Sequence, residues 1–187
     1  MKSENLFWIN NLTKVEGNIS PILKIWVSDI CELTKNLRQV YRNWNLELLY
    51  SGPLIPSELE SKAFSSKTNI DDCYGRIILH KDHSRPLVLG RVIIPKQTYG
   101  NIGPELTCLG SRSIGEEILF RHTNTTRSSF SYAVISKNNQ IISEWLDKDI
   151  DVKSEVLVRT STFYINKALP LLVSEYFLNN LKYPEVR

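Results

Sequence analysis

Three charged side chains fall where an isolated charge is expensive. Arg76 begins the apolar run RIIL and Arg91 lies within LGRVIIP, both among β-rich neighbours. Glu175 interrupts LPLLVSEYFL, where strand alternation puts Leu171, Val173, Glu175 and Phe177 on one side. A charge taken out of water needs a partner, either a structural ion of opposite sign or a bound ligand. For Arg76 and Glu175 the spacing leaves a structural ion pair and a ligand site equally open. The partner of either arginine is a structural carboxylate or a bound anion.

Other chemistries find little support. His80 and His83 are three residues apart, but they flank the polar stretch Lys81-Asp82-His83-Ser84-Arg85-Pro86, and only His122 remains elsewhere. With no acidic or cysteine partner at ligand spacing, they read as a solvated hairpin tip, and no metal is expected. Gly100, Gly103, Gly110 and Gly115 fall in a loop-rich stretch that matches neither the dinucleotide fingerprint nor the phosphate loop, so no nucleotide cofactor is expected. No GxSxG is present, which sets serine hydrolase chemistry aside. Cys31, Cys73 and Cys108 are an odd set without CxxC spacing, pointing away from a disulfide framework or zinc knuckle and toward a reducing compartment.

The elements that must carry these residues can be read from turn chemistry and periodicity. Ser20-Pro21 is a helix start, and Ile22, Trp26, Ile30, Leu33, Leu37 and Tyr41 recur at helical spacing, predicting an amphipathic helix over 20–43. Leu46 to Tyr50 reads as a short strand ended by Ser51-Gly52-Pro53, and 51–70 as a loop or short helical excursion able to act as a flap. Two β-rich runs, 74–80 and 87–94, form a hairpin. Further strands are expected at 128–136, 139–146, 154–165 and 170–178, with a short helix in 113–121. Many strands joined mostly by short turns, with helices concentrated at the front, imply an α+β fold. The expectation is a single antiparallel β-sheet with helices packed on one face.

A chain of 187 residues, 42% hydrophobic, is long enough for one domain with a core and an internal pocket. We expect residues 1–187 to form it, with no internal repeat or linker. Its 23 basic and 20 acidic residues are scattered, and the formal charge of +3 is too mild to argue for nucleic acid. It does favour a small anionic ligand. No stretch approaches 18 apolar residues and the N-terminus lacks the apolar core of a secretory signal, so no membrane insertion or export is expected.

The combination of YGRIILH, LGRVIIP, LGSRSIGEEILF, VRTSTFYI and LPLLVSEYFL, in this order and over about residues 20–178, resembles the chorismate lyase family, including its plastid and cyanobacterial relatives. The resemblance implies an antiparallel sheet with an enclosed ligand cavity beneath flaps. It also implies elimination of pyruvate from chorismate to give 4-hydroxybenzoate, without a cofactor, for quinone head-group synthesis in a plastid stroma or bacterial cytoplasm. Carried over residue by residue, Arg76 pairs with a ligand carboxylate, the backbone at Ile114 contacts the same end, and Glu175 meets the ring hydroxyl. Leu33 packs on the ligand from the first helix, and Gly90 and Arg91 lie in a matching strand motif. The Ile114 position is usually leucine in bacterial relatives, a change that a backbone contact survives. Two other readings remain: a non-catalytic aromatic-acid sensor, as in effector domains of transcription regulators of related fold, and a sibling enzyme releasing another hydroxybenzoate isomer. No helix-turn-helix is found in these residues. Oligomeric state is not legible.

Overall fold

The computed structural model describes residues 8–15, 19–28, 32–65, 68–147, 150–179 and 181–182. Among the described residues, seven strands form one antiparallel sheet: β1 (Trp44–Pro53), β2 (Cys73–Asp82), β3 (Arg85–Pro95), β4 (Thr126–Arg127), β5 (Ser131–Ser136), β6 (Glu155–Ile165) and β7 (Leu169–Phe177). The order is β1-β2-β3-β7-β6, and both β5 and β4 pair with the outer edge of β6.

The first helical region is two helices, α1 (Pro21–Ser28) and α2 (Leu33–Val40), with 29–31, including Ile30 and Cys31, outside the described residues. Ser20 caps α1 by accepting from the Leu23 N–H at 3.2 Å, as expected of an N-cap. Glu32, before α2, has an extended backbone. Leu23, Trp26 and Val27 of α1 and Leu33 and Leu37 of α2 enter one core cluster. Apolar periodicity therefore carried across the break without revealing it, because both helices face the same core.

Two further elements differ from expectation. Residues 139–146 are not a strand but carry α5 (Gln140–Trp145), whose N-cap Asn139 accepts from the Ile141 N–H at 3.1 Å. The β-branched pair Ile141-Ile142 masked a helical spacing that buries Ile142 and Leu146. The glycines at 100 and 103 are not in a loop: they belong to α4 (Lys96–Thr107), which also contains Pro104. Poor helix propensity is overridden there by packing of Ile102 and Leu106 on Val92, Ile94 and Leu171.

The longer helices share one face of the sheet. Val88, Leu157 and Phe177 meet α1 and α2, while Val92, Phe163 and Leu171 meet α4 and the π-helical turn Gly115–Leu119. Two short helices lie against the opposite face: α5, whose Ile142 packs on Ile77, Leu89 and Val158, and α3 (Glu58–Ser61), inside the expected 51–70 excursion.

Candidate active site

Register decides which candidates meet. One row across the sheet joins Ile78 of β2 to Gly90 of β3, Glu175 of β7, Arg159 of β6 and Tyr132 of β5. Two residues along, the next row on that face joins Arg76 to Val92, Val173 and Ser161. Arg76 and Glu175 are thus one same-face step along and two strands across from each other. Standard strand rise and spacing put their α-carbons about 12 Å apart.

Between the α1/α2 and α4 clusters lies a cavity of about 70 Å³, lined on the sheet side by Ile78, Gly90, Val92, Val173, Glu175 and Arg159. Leu33 and Thr34 of α2 and Ser113 and Ile114 line it from above, while Arg127, Phe130 and Phe163 line one end. Gly90 is needed for close approach, since a Cβ there would stand 2.7 Å from Cγ1 of Ile78. The Thr34 hydroxyl donates to Ser113 Oγ at 3.0 Å, and Arg38 pairs with Glu116 at 3.0 Å, joining α2 to the π-helical turn over the cavity. Ile114 opens that turn, where backbone N–H groups lack intrahelical acceptors.

Arg76 is 1% exposed, and burial lowers its pKa below the ordinary arginine value. Its Nη2 donates to the carbonyls of Gly110 (2.5 Å) and Arg112 (3.0 Å), which bend the chain toward Ile114 through the left-handed Gly110, φ 55°. Among the described residues no carboxylate pairs with Arg76, and its buried Nε has no acceptor. It faces the cavity side without being part of the lining.

Glu175 has a committed partner. Its Oε2 accepts from Arg159 Nε at 2.6 Å, a directly opposed cross-strand pair. Arg159 Nη1 also donates to the carbonyls of Trp26 and Val27, at 3.2 and 3.1 Å, tying the C-terminal end of α1 to the sheet. Oε1 of Glu175 accepts no hydrogen bond among the described residues, and the residue lines the cavity.

Arg91 is not brought to this cavity. As the neighbour of Gly90 in β3 it points to the other face, where Nε and Nη2 donate to Oε1 and Oε2 of Glu60 at 2.6 and 3.2 Å. Glu60 is 0% exposed, and its Oε2 also accepts from the Ser57 N–H at 2.8 Å in a capping box. Arg91 therefore anchors α3 to the sheet. A cleft of about 1040 Å³ on that face is larger, but it contains neither Arg76, Glu175, Ile114 nor Leu33.

His80 corrects the expectation of a solvated tip. The hairpin turn is only His83-Ser84, so His80 stays within β2, 3% exposed and lining the cavity. Its Nδ1 accepts from Trp44 Nε1 at 3.3 Å, and burial lowers its pKa to about 4. An unfolded chain binds this proton near pH 6.5, the folded chain only near pH 4. The stability involved is complete above about pH 6.5 and falls as pH drops toward 4, by about 3 kcal/mol in all. Urea denaturation at pH 7 and pH 4.5 should therefore show a steeper acid loss for the wild type than for His80→Gln. Parallel losses would take His80 out of the pH dependence.

Sequence reasoning assigned no role to Arg159 and missed Arg127. Arg159 carries the same signal as Arg76, a charge within an apolar run, VLVRTSTF; Arg127 lies in the polar stretch TTRSSF and gives none.

A model of the chorismate lyase family matches residues 3–187. A protein of Coxiella burnetii named "Probable chorismate pyruvate-lyase" is 38% identical over 90 residues, 48% of this chain and 46% of that protein, so the match spans about half of each. A protein of Alcanivorax borkumensis with the same name is 26% identical over 160 residues, 86% of this chain and 71% of that protein. Among solved structures, the PhnF C-terminal domain superposes with a TM-score of 0.54 at 13% identity, covering 77% of this chain and 87% of that one. A GntR-family transcriptional regulator from Bacillus cereus gives 0.50 at 10% identity, with 78% and 99% covered. At such identities the likeness is one of fold.

Proposed function

The chain belongs to the chorismate lyase family, and from that premise we propose that it is a single-domain lyase converting chorismate to 4-hydroxybenzoate and pyruvate. In this reaction the ring C4–H bond breaks and its electrons form the C3–C4 double bond that completes the aromatic ring. The C3–O bond breaks toward the enolpyruvyl oxygen, and the released enolate takes up, at its methylene carbon, a proton that balances the one lost from C4, becoming pyruvate. Aromatisation drives the step, so the protein's task is to hold a reactive conformer.

The observation that carries this reading is Arg76: a buried guanidinium without a carboxylate partner among the described residues, across the cavity face from a carboxylate with one oxygen that accepts no hydrogen bond from them. Arg76 receives the ring carboxylate through the donors not engaged by Gly110 and Arg112, with the Ile114 backbone at the same end. Glu175 Oε1 accepts from the 4-hydroxyl at the opposite end and stabilises charge developing there. Leu33 and Gly90 shape the space between, and Arg91 takes no part. At about 70 Å³ the cavity admits substrate only as its cover lifts, which parts Thr34 from Ser113 and Arg38 from Glu116. A planar product held beneath that cover leaves slowly, so 4-hydroxybenzoate is an inhibitor. Supply of a quinone head-group precursor, in a bacterial cytoplasm or plastid stroma, belongs to the same proposal.

The test is incubation of purified protein with chorismate, without added metal or nucleotide, and chromatography against the hydroxybenzoate isomers. Equal amounts of pyruvate and 4-hydroxybenzoate above the spontaneous background are expected. The 3-isomer would change the product assignment, and intact chorismate with tight binding of an aromatic acid would make the protein a sensor. Glu175→Gln keeps the shape and an acceptor for Arg159 but removes the charge. It should lower kcat about ten- to a hundredfold while costing about 1–3 kcal/mol in stability. Steady-state kinetics on the folded fraction checks this, and a stability loss with kcat intact would leave Glu175 as Arg159's partner alone.

A further inference from the structure

Chorismate is a dianion, and the roles above account for one of its two carboxylates. The inference that follows rests on the lyase reading and concerns the second. The enolpyruvyl ether is attached next to the ring carbon bearing the 4-hydroxyl, so its carboxylate arrives at the Glu175 end of the cavity. A carboxylate brought there is repelled by Glu175 unless positive charge outweighs it.

Arg159 does not supply that charge, because Glu175 and the carbonyls of Trp26 and Val27 already engage it. Arg127 does. It pairs in register with Phe163, which places both on the cavity face, and it is part of the cavity lining. Its guanidinium carbon lies 4.2 Å from the Phe130 ring centroid and 5.8 Å from that of Phe163. That of Arg159 lies 4.4 Å from the same Phe130 ring. Aromatic faces of this kind hold a guanidinium in place while leaving its N–H edge free to donate.

Arg127 is half-buried, and among the described residues its guanidinium makes neither an ion pair nor a hydrogen bond. Burial lowers its pKa, and Arg159 lowers it further, while Glu175 and Tyr132 act in the opposite direction. Two arginines thus face one carboxylate at this end. Of the other carboxylates on the lining, Glu116 is paired with Arg38 and Glu32 forms no ion pair among the described residues. We propose that Arg127 receives the enolpyruvyl carboxylate and is the residue that lets the site distinguish substrate from product. The contact exists with chorismate and vanishes when pyruvate departs, so its binding energy does not hold 4-hydroxybenzoate in the cavity.

The experiment compares Arg127→Gln with the wild-type full chain in two readouts: KM for chorismate, and the inhibition constant of 4-hydroxybenzoate, each confirmed by equilibrium binding. KM is expected to rise ten- to a hundredfold, while the inhibition constant stays within about twofold. Arg127→Lys, which keeps the charge but not the planar stack, should recover part of the loss. An unchanged KM for Arg127→Gln overturns the assignment while leaving the lyase reading intact. A parallel rise of both constants also overturns it, since Arg127 would then shape the cavity rather than recognise the second carboxylate. Wild-type protein that binds 4-hydroxybenzoate but neither binds nor converts chorismate removes the lyase reading, and this assignment with it.

Discussion

Replacing Arg76 by alanine is expected to lower kcat/KM for chorismate ten- to a hundredfold or more, from loss of about 1.5–3 kcal/mol of charge-assisted hydrogen bonding. Both substrate and product carry the ring carboxylate, so the inhibition constant of 4-hydroxybenzoate should rise alongside KM, unlike the split expected at Arg127. Arg76 also holds the carbonyls of Gly110 and Arg112, so part of the loss comes through the turn that positions Ile114. Arg76→Lys separates the two contributions: it retains a positive charge but not the planar geometry that serves two carbonyls and an anion together. If a folded Arg76→Ala protein turned over chorismate at the wild-type rate, the residue's role would be confined to the turn.

The largest loss of stability is expected from Arg91→Ala, about 3–5 kcal/mol. Among the described residues the change leaves the Glu60 carboxylate, 0% exposed, with only the Ser57 N–H as a donor, and an uncompensated buried charge is what makes such a variant costly. Activity per folded molecule should stay near wild type, because Arg91 lies across the sheet from the cavity. Urea denaturation together with activity normalised to the folded fraction tests this. Arg91→Met combined with Glu60→Leu removes both charges and should restore much of the stability. A stable Arg91→Ala protein with little activity would return Arg91 to the site.

Arg76 and Arg91 show how far the residues could be read. Each lies in an apolar strand run, and composition treats them alike. Alternation did carry one clue, because Gly90 and Arg91 are adjacent in β3 and only one of them can line a given cavity. Choosing between them required knowing which face the helices cover. Glu175 was legible as a charge on an apolar face, whereas its partnership with Arg159 depends on β6–β7 register, and 16 residues of sequence separation do not announce it. His80 was misread because the hairpin turn proved shorter than its polar composition suggested.

Local chemistry alone determined the hairpin of β2 and β3, the β6 and β7 strands, the Ser20 cap and the α+β character, because these follow from alternation, turn residues and capping within a few positions of one another. The motifs carried the family likeness in the same way. Only the tertiary structure decided the break between α1 and α2, the helical state of Lys96–Thr107, the face on which each arginine lies, and the meeting of Arg127, Arg159 and Glu175 around Phe130. Each of these depends on burial and pairing between residues far apart in the chain. Such contacts override local propensity and sort like-looking charges into those held in ion pairs and those facing the cavity.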